Sequence, residues 1–87
     1  MQMNEHFTFS KHAKERMKSR GITELQVRSI VNNPDKIIDE SECKRIYQKK
    51  LNANHKVMLF RIFLNICKTP GMIITAYKTS KIKKYED

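Results

Sequence analysis

The sequence predicts an α+β fold: two N-terminal helices packed on one face of a small twisted antiparallel β-sheet. Three observations carry this. Capping and breaker residues bracket two short helical stretches between residues 10 and 34. From residue 36 onward, β-branched and aromatic runs alternate with clusters of Asn, Pro and Gly. The links between those runs are too short for crossovers, so neighbouring strands must be antiparallel.

Phe7-Thr8-Phe9 alternates and suits a short first strand. Ser10 has N-cap chemistry, because its hydroxyl can accept an orphan N–H of the first helical turn. Good helix formers follow over Lys11–Arg20, and Gly21 closes the helix. Thr23 and Gln26 have the spacing of a capping box, and Asn32-Asn33-Pro34 ends a second helix whose apolar side is Ile22, Leu25, Val27, Ile30 and Val31. Strands are expected over residues 36–40, 43–51, 56–67 and 72–78, with turns at 52–55 and 69–71. Residues 1–6 and 82–87 read as flexible ends of a single domain covering 1–87.

The 56–67 strand can be read by parity. Met58, Phe60, Ile62, Leu64 and Ile66 share one face and should meet the helices. Val57, Leu59, Arg61, Phe63 and Asn65 share the other, which is apolar enough to make this strand central. A three-residue turn at 69–71 would set Phe63 opposite Tyr77 and Arg61 opposite Thr79, with Met72, Ile74 and Ala76 toward the core. A two-residue turn would flip the last strand, and the first register buries the more apolar set.

The 87 residues carry 18 Lys and Arg against 9 Asp and Glu, a net charge of +9. That excess favours a phosphate-rich or acidic partner over a generic solubilised surface. Hydrophobic residues are 39% of the chain and occur in runs, which argues against disorder. The longest apolar-rich run is broken by Arg61 and Asn65 and is too short to cross a bilayer, and residues 1–6 lack the apolar stretch of a secretion signal. Cys43 and Cys67 lack paired spacing and read as reduced thiols, which points to the cytoplasm. The histidines are scattered, no metal-ligand spacing is present, and with two glycines there is no phosphate-cradling loop, so no cofactor is expected.

His12 and Arg16 stand one helical turn apart, with Arg20 continuing the row. Imidazole can take and give a proton near neutral pH, and guanidinium grips phosphate in two-pronged fashion. The plain alternative is a solvated basic helix. Arg61 is the one charge inside the most hydrophobic strand, which requires either a ligand-facing sheet surface or an ion pair with Asp39, Glu40 or Glu42. Arg45, Tyr47 and Lys49 share a face and, with Tyr77, interleave cations and rings as single-strand nucleic-acid grooves do; a protected edge strand would look the same. Lys78, Thr79, Ser80 and Lys81 put hydroxyls and ammonium groups where the last strand leaves the sheet, a common place for phosphate contacts. A solvated tail is the alternative there.

Ser10-Lys11-His12-Ala13, then Arg16, then Arg20-Gly21-Ile22 and Thr23, together with Thr75-Ala76-Tyr77 before a Lys-rich end, resemble a family of small uncharacterised bacterial domains grouped with the RelE- and BrnT-like toxins. The resemblance runs from Phe7 to Tyr85. It implies a RelE-like fold and metal-independent endoribonuclease activity on mRNA, on the ribosome or free, neutralised by an antitoxin protein. It also marks His12, Arg16 and Tyr77 as site candidates; Arg61 and Arg45 rest on strand parity. A non-catalytic RNA- or ribosome-binding module, or a protein-interaction domain with an acidic partner, would share the same basic character.

Overall fold

The computed structural model describes residues 7–85. The described chain runs β1 (Phe7–Phe9), α1 (Lys11–Arg20), α2 (Glu24–Asn32), β2 (Lys36–Asp39), β3 (Lys44–Ala53), β4 (Lys56–Asn65), β5 (Gly71–Thr79) and a 3₁₀ turn over Ile82–Tyr85. Two features correct the expected architecture. The expected first strand is present and precedes both helices, so they are not N-terminal, and it makes the sheet mixed and not antiparallel throughout, ordered β1-β5-β4-β3-β2 with β1 parallel to β5. Short turns force β2 to β5 to be antiparallel. Nearly the whole chain separates β1 from β5, so no turn dictates their relative direction. The Ser10 N–H extends the β1 ladder to the Ile73 carbonyl at 3.1 Å before the chain enters α1.

Local chemistry explains the helices. Ser10 Oγ accepts the Ala13 N–H at 3.0 Å, and Gly21 ends α1 in the left-handed region at φ 69°. Thr23 and Gln26 close both bonds of the capping box, at 3.1 and 3.0 Å. The helices contribute Ala13, Met17, Ile22, Val27 and Ile30 to one core, against Phe7, Tyr47, Phe60, Ile62, Leu64, Ile73 and Ala76 of the sheet. Phe60, Ile62, Ile73, Val27 and Ile30 are fully buried, each stabilising the fold by about 1.5–3 kcal/mol. Since strand side chains alternate, this assigns one sheet face to the helices and leaves Leu59, Arg61 and Phe63 of β4 on the other.

Asn54 and His55 both adopt positive φ, at 55° and 65°, and close a tight turn that sets Ala53 opposite Lys56. The far turn differs from expectation. Asn65 pairs with Met72 across a longer loop, so Arg61 lies opposite Tyr77 and Phe63 opposite Thr75. That is a shift of two residues, which keeps the faces of Tyr77 and Thr79. The register then slips between Phe63 and Leu64, so Ile73 enters the core while Met72 and Ile74 are half-buried.

Three further readings need correction or placement. Cys43 and Cys67 form a disulfide, because the β3–β4 register carries residues 24 apart in sequence to a Cα separation of 5.0 Å. Residues 82–85, expected within a flexible end, form the 3₁₀ turn. The other residues of the expected flexible ends, 1–6 and 86–87, lie outside the described residues. Among the described residues no helix is long and apolar enough to cross a membrane.

Candidate functional site

Strand register assembles a row of polar side chains across the face that lacks helices. Lys36 of β2 stands opposite Gln48 of β3, Gln48 opposite Arg61 of β4, and Arg61 opposite Tyr77 of β5. Directly opposed residues project to the same side, so the four form one line over four strands. Ile38, Ile46, Phe63 and Thr75 form the next line.

Arg61 is the centre of this row. Its Nε donates to Gln48 Oε1 at 2.8 Å and its Nη1 donates to Tyr77 Oη at 2.8 Å. A guanidinium has five N–H donors and no acceptor, which settles that the Gln48 oxygen faces it. Those two bonds leave three N–H groups. The guanidinium carbon lies 4.4 Å from the Tyr85 ring centroid, 5.5 Å from Phe63 and 5.9 Å from Tyr77. Gln48 is only 4% exposed, and its side-chain NH₂ has no partner among the described residues.

Among the described residues no carboxylate neutralises Arg61, and this includes the expected partners Asp39, Glu40 and Glu42. Asp39 binds Arg45 at 2.6 Å, Glu40 reaches Lys44 at 3.5 Å, and Asp35 binds Lys49 at 3.4 Å. Among the described residues Arg61 therefore forms no ion pair, and its acceptors are a neutral amide and a neutral phenol. Partial burial pushes the Tyr77 phenol above its ordinary value; its hydrogen bond to Tyr85, 3.4 Å between hydroxyls, adds to this while Arg61 opposes it. Tyr77 thus stays protonated near neutral pH. The Lys50 backbone N–H, at 3.0 Å, chiefly holds Asp35 below the usual carboxylate range.

The residues anticipated from sequence divide between the two faces. His12 and Arg16 are exposed on α1, with Arg16 Nε donating to His12 Nε2 at 3.2 Å. Because α1 buries Ala13 and Met17 against the core face, the sheet stands between this pair and Arg61. A cleft shared by imidazole, guanidinium and phenol is therefore not formed. Arg20 is half-buried and donates to the Ala76 carbonyl at 2.8 Å, beyond the stretch of β5 that β1 pairs. Arg45, Tyr47 and Lys49 do share a face, but it is the helix face: Tyr47 opposes Ile62 and is 9% exposed in the core. They form no groove with Tyr77, because alternation groups them while pairing with β4 chooses their side.

Lys78 also points to the helix side, opposite Phe60, with its ammonium 5.8 Å from that ring. Thr79 lies on the Arg61 side, opposite Leu59, and its Oγ1 accepts the Lys81 N–H at 3.1 Å; Ser80 and Lys81 are exposed. Sequence reasoning missed Lys36, Gln48 and Tyr85. A two-residue turn at Asn54-His55 would have aligned Gln48 with Arg61, whereas nothing in the sequence signals Tyr85.

The arrangement can hold an anion at the unsatisfied edge of Arg61 and stack planar groups on its rings. Among the described residues no three His, Cys, Asp or Glu cluster as a metal site. Comparison with curated proteins and with solved structures finds no match. Residues 9–78 match a family described as Domain of unknown function (DUF4258), a span that includes Gln48, Arg61 and Tyr77 but not Tyr85. The match spans more than half of the chain, which belongs to this family.

Proposed function

We propose that this protein acts on RNA as a toxin-type, metal-independent endoribonuclease, with single-stranded RNA lying along the sheet face that lacks α-helices and one phosphate at Arg61. The observation that carries the reading is the charge of Arg61, which no described residue compensates: a half-buried arginine fixed by two neutral acceptors keeps its attraction for a phosphate. Lys36 extends the same row toward the neighbouring phosphate, and Phe63 and Tyr77, with centroids 5.9 Å apart, offer rings for bases. In the reaction, the ribose 2′-oxygen attacks the adjacent phosphorus and gives its proton to water. The bond from phosphorus to the 5′-oxygen breaks. Tyr77, held protonated, supplies the proton to that leaving oxygen, while Arg61 stabilises the charge on the phosphorane. The products are a 2′,3′-cyclic phosphate and a 5′-hydroxyl. The reading pairs the protein with mRNA, on the ribosome or free, and with an acidic antitoxin protein; it places the protein in the cytoplasm on the ground of that substrate alone, since the Cys43–Cys67 disulfide removes the argument from reduced thiols.

A second reading, a non-catalytic RNA- or ribosome-binding module, has its own support. Tyr77 is the one titratable donor bonded to Arg61 among the described residues, and His12 lies across the sheet. Incubating end-labelled single-stranded RNA with the protein in EDTA separates the two. Cyclic-phosphate ends that vanish in Tyr77→Phe, with binding retained, support the nuclease. Binding that needs Arg61 without any cleavage supports the module. RNA binding unchanged in Arg61→Ala rejects both.

A further inference from the structure

The C-terminal 3₁₀ turn lays Tyr85 directly over the candidate site. Its ring centroid is 4.4 Å from the Arg61 guanidinium carbon, closer than either of the other two rings around that group. Its hydroxyl is the acceptor to which Tyr77 donates, at 3.4 Å. Tyr85 is therefore in two places that RNA requires: the stacking face of Arg61, and the acceptor position that would otherwise be open to the proton of Tyr77.

The turn is lightly held. It is four residues long and buries none of them, and Lys83 and Lys84 are exposed. Its contacts with the row are one half-buried cation–π contact to Arg61, a tilted ring contact to Tyr77 with centroids 6.5 Å apart and a long hydroxyl–hydroxyl bond, each individually weak. Beside Arg61, Gln48 is 4% exposed, and its side-chain NH₂ has no partner among the described residues. The residues of the row from Gln48 to Tyr77 lie within the span matched by the family, and the cover lies beyond it.

We infer that the Tyr85 ring occupies a nucleobase subsite, so that the C-terminal turn is an autoinhibitory cover which RNA displaces when a base stacks on Arg61. This rests on the proposed RNA reading. Displacement frees the Tyr77 proton for the leaving oxygen and lets the exposed lysines of the turn follow the RNA backbone.

The test uses a labelled, non-cleavable 2′-O-methyl oligouridylate and the full chain. Tyr85→Ala should bind it at least about twofold more tightly than wild type, the inverse of a lost cation–π contact. Tyr85→Phe, which keeps the ring, should bind as wild type does. In wild type, saturating oligonucleotide should abolish the nuclear Overhauser contacts between the Tyr85 and Tyr77 rings. Weaker or unchanged binding in Tyr85→Ala, or Tyr85–Tyr77 contacts that persist under saturation, overturns the cover. If Arg61→Ala leaves binding intact, the RNA reading itself fails; if Arg61→Ala weakens binding but Tyr85→Ala does not tighten it, only the cover fails.

Discussion

Gln48→Glu tests whether the charge of Arg61 is the working feature of the open face. The substitution is isosteric and keeps an acceptor where Gln48 Oε1 now takes the Arg61 Nε–H at 2.8 Å, in a side chain that is 4% exposed. It adds a negative charge against the guanidinium. At about 4 Å between charge centres and an effective dielectric near 20, the two attract by roughly 4 kcal/mol, so the carboxylate stays ionised and Arg61 is neutralised in place. A charge-assisted hydrogen bond from Arg61 to phosphate is worth about 1.5–3 kcal/mol, so affinity for single-stranded RNA should fall about ten- to hundredfold. The slope of log affinity against log salt should also drop by about 0.7, one phosphate contact. Thermal unfolding should be unchanged or raised, since no partner is lost. Fluorescence anisotropy with a labelled oligonucleotide across a salt series, beside a melting curve, reads all three. RNA binding equal to wild type in a folded Gln48→Glu protein would refute the reasoning.

His12→Ala should leave RNA binding and cleavage close to wild type, because the sheet separates His12 from Arg61; loss of activity in a folded variant would move the site to α1. Tyr77 has a raised folded pKa, so the fold favours its neutral form. The stability this gives is complete below the ordinary phenol value of 10.0 and is lost as pH rises through the folded value. A phenolate absorbance titration should show a step above the ordinary phenol value, and Tyr77→Phe should remove that step. Phe60→Ala empties a fully buried site and should cost about 3–5 kcal/mol, lowering the melting temperature by more than about 10 °C, as read by circular dichroism. Reducing Cys43–Cys67 reopens a link of separation 24 and should destabilise the fold by about 2–4 kcal/mol, measured by urea unfolding with and without reductant.

Local signals in the sequence were strong where neighbours in the chain decide the structure. The Ser10 cap, the Gly21 stop and the Thr23–Gln26 box are satisfied within a few residues, so the ends of α1 and the start of α2 could be read directly. Alternation in β4 likewise separated Phe60, Ile62 and Leu64 from Arg61 and Phe63. Legibility ended where two strands meet. The β4–β5 pairing was off by two residues because the connecting loop is longer than its Thr-Pro-Gly centre suggests. Arg45, Tyr47 and Lys49 were grouped correctly and assigned to the wrong surface, since alternation alone carries no sign.

The caps, the helix ends they fix, the turn before β4 and which side chains travel together along a strand were legible in the residues alone, because these depend on bonds and sterics spanning a few residues. Only the tertiary structure decided that β1 joins β5 in parallel, that Cys43 meets Cys67, and that His12 and Arg61 lie on opposite sides of the sheet. It also brought Lys36, Gln48, Arg61 and Tyr77 into one row and set Tyr85 over it. The reason is that register and face are global quantities. A strand reaches its partner across tens of residues, and burying the helix-facing side is what selects one pairing among those the local pattern allows.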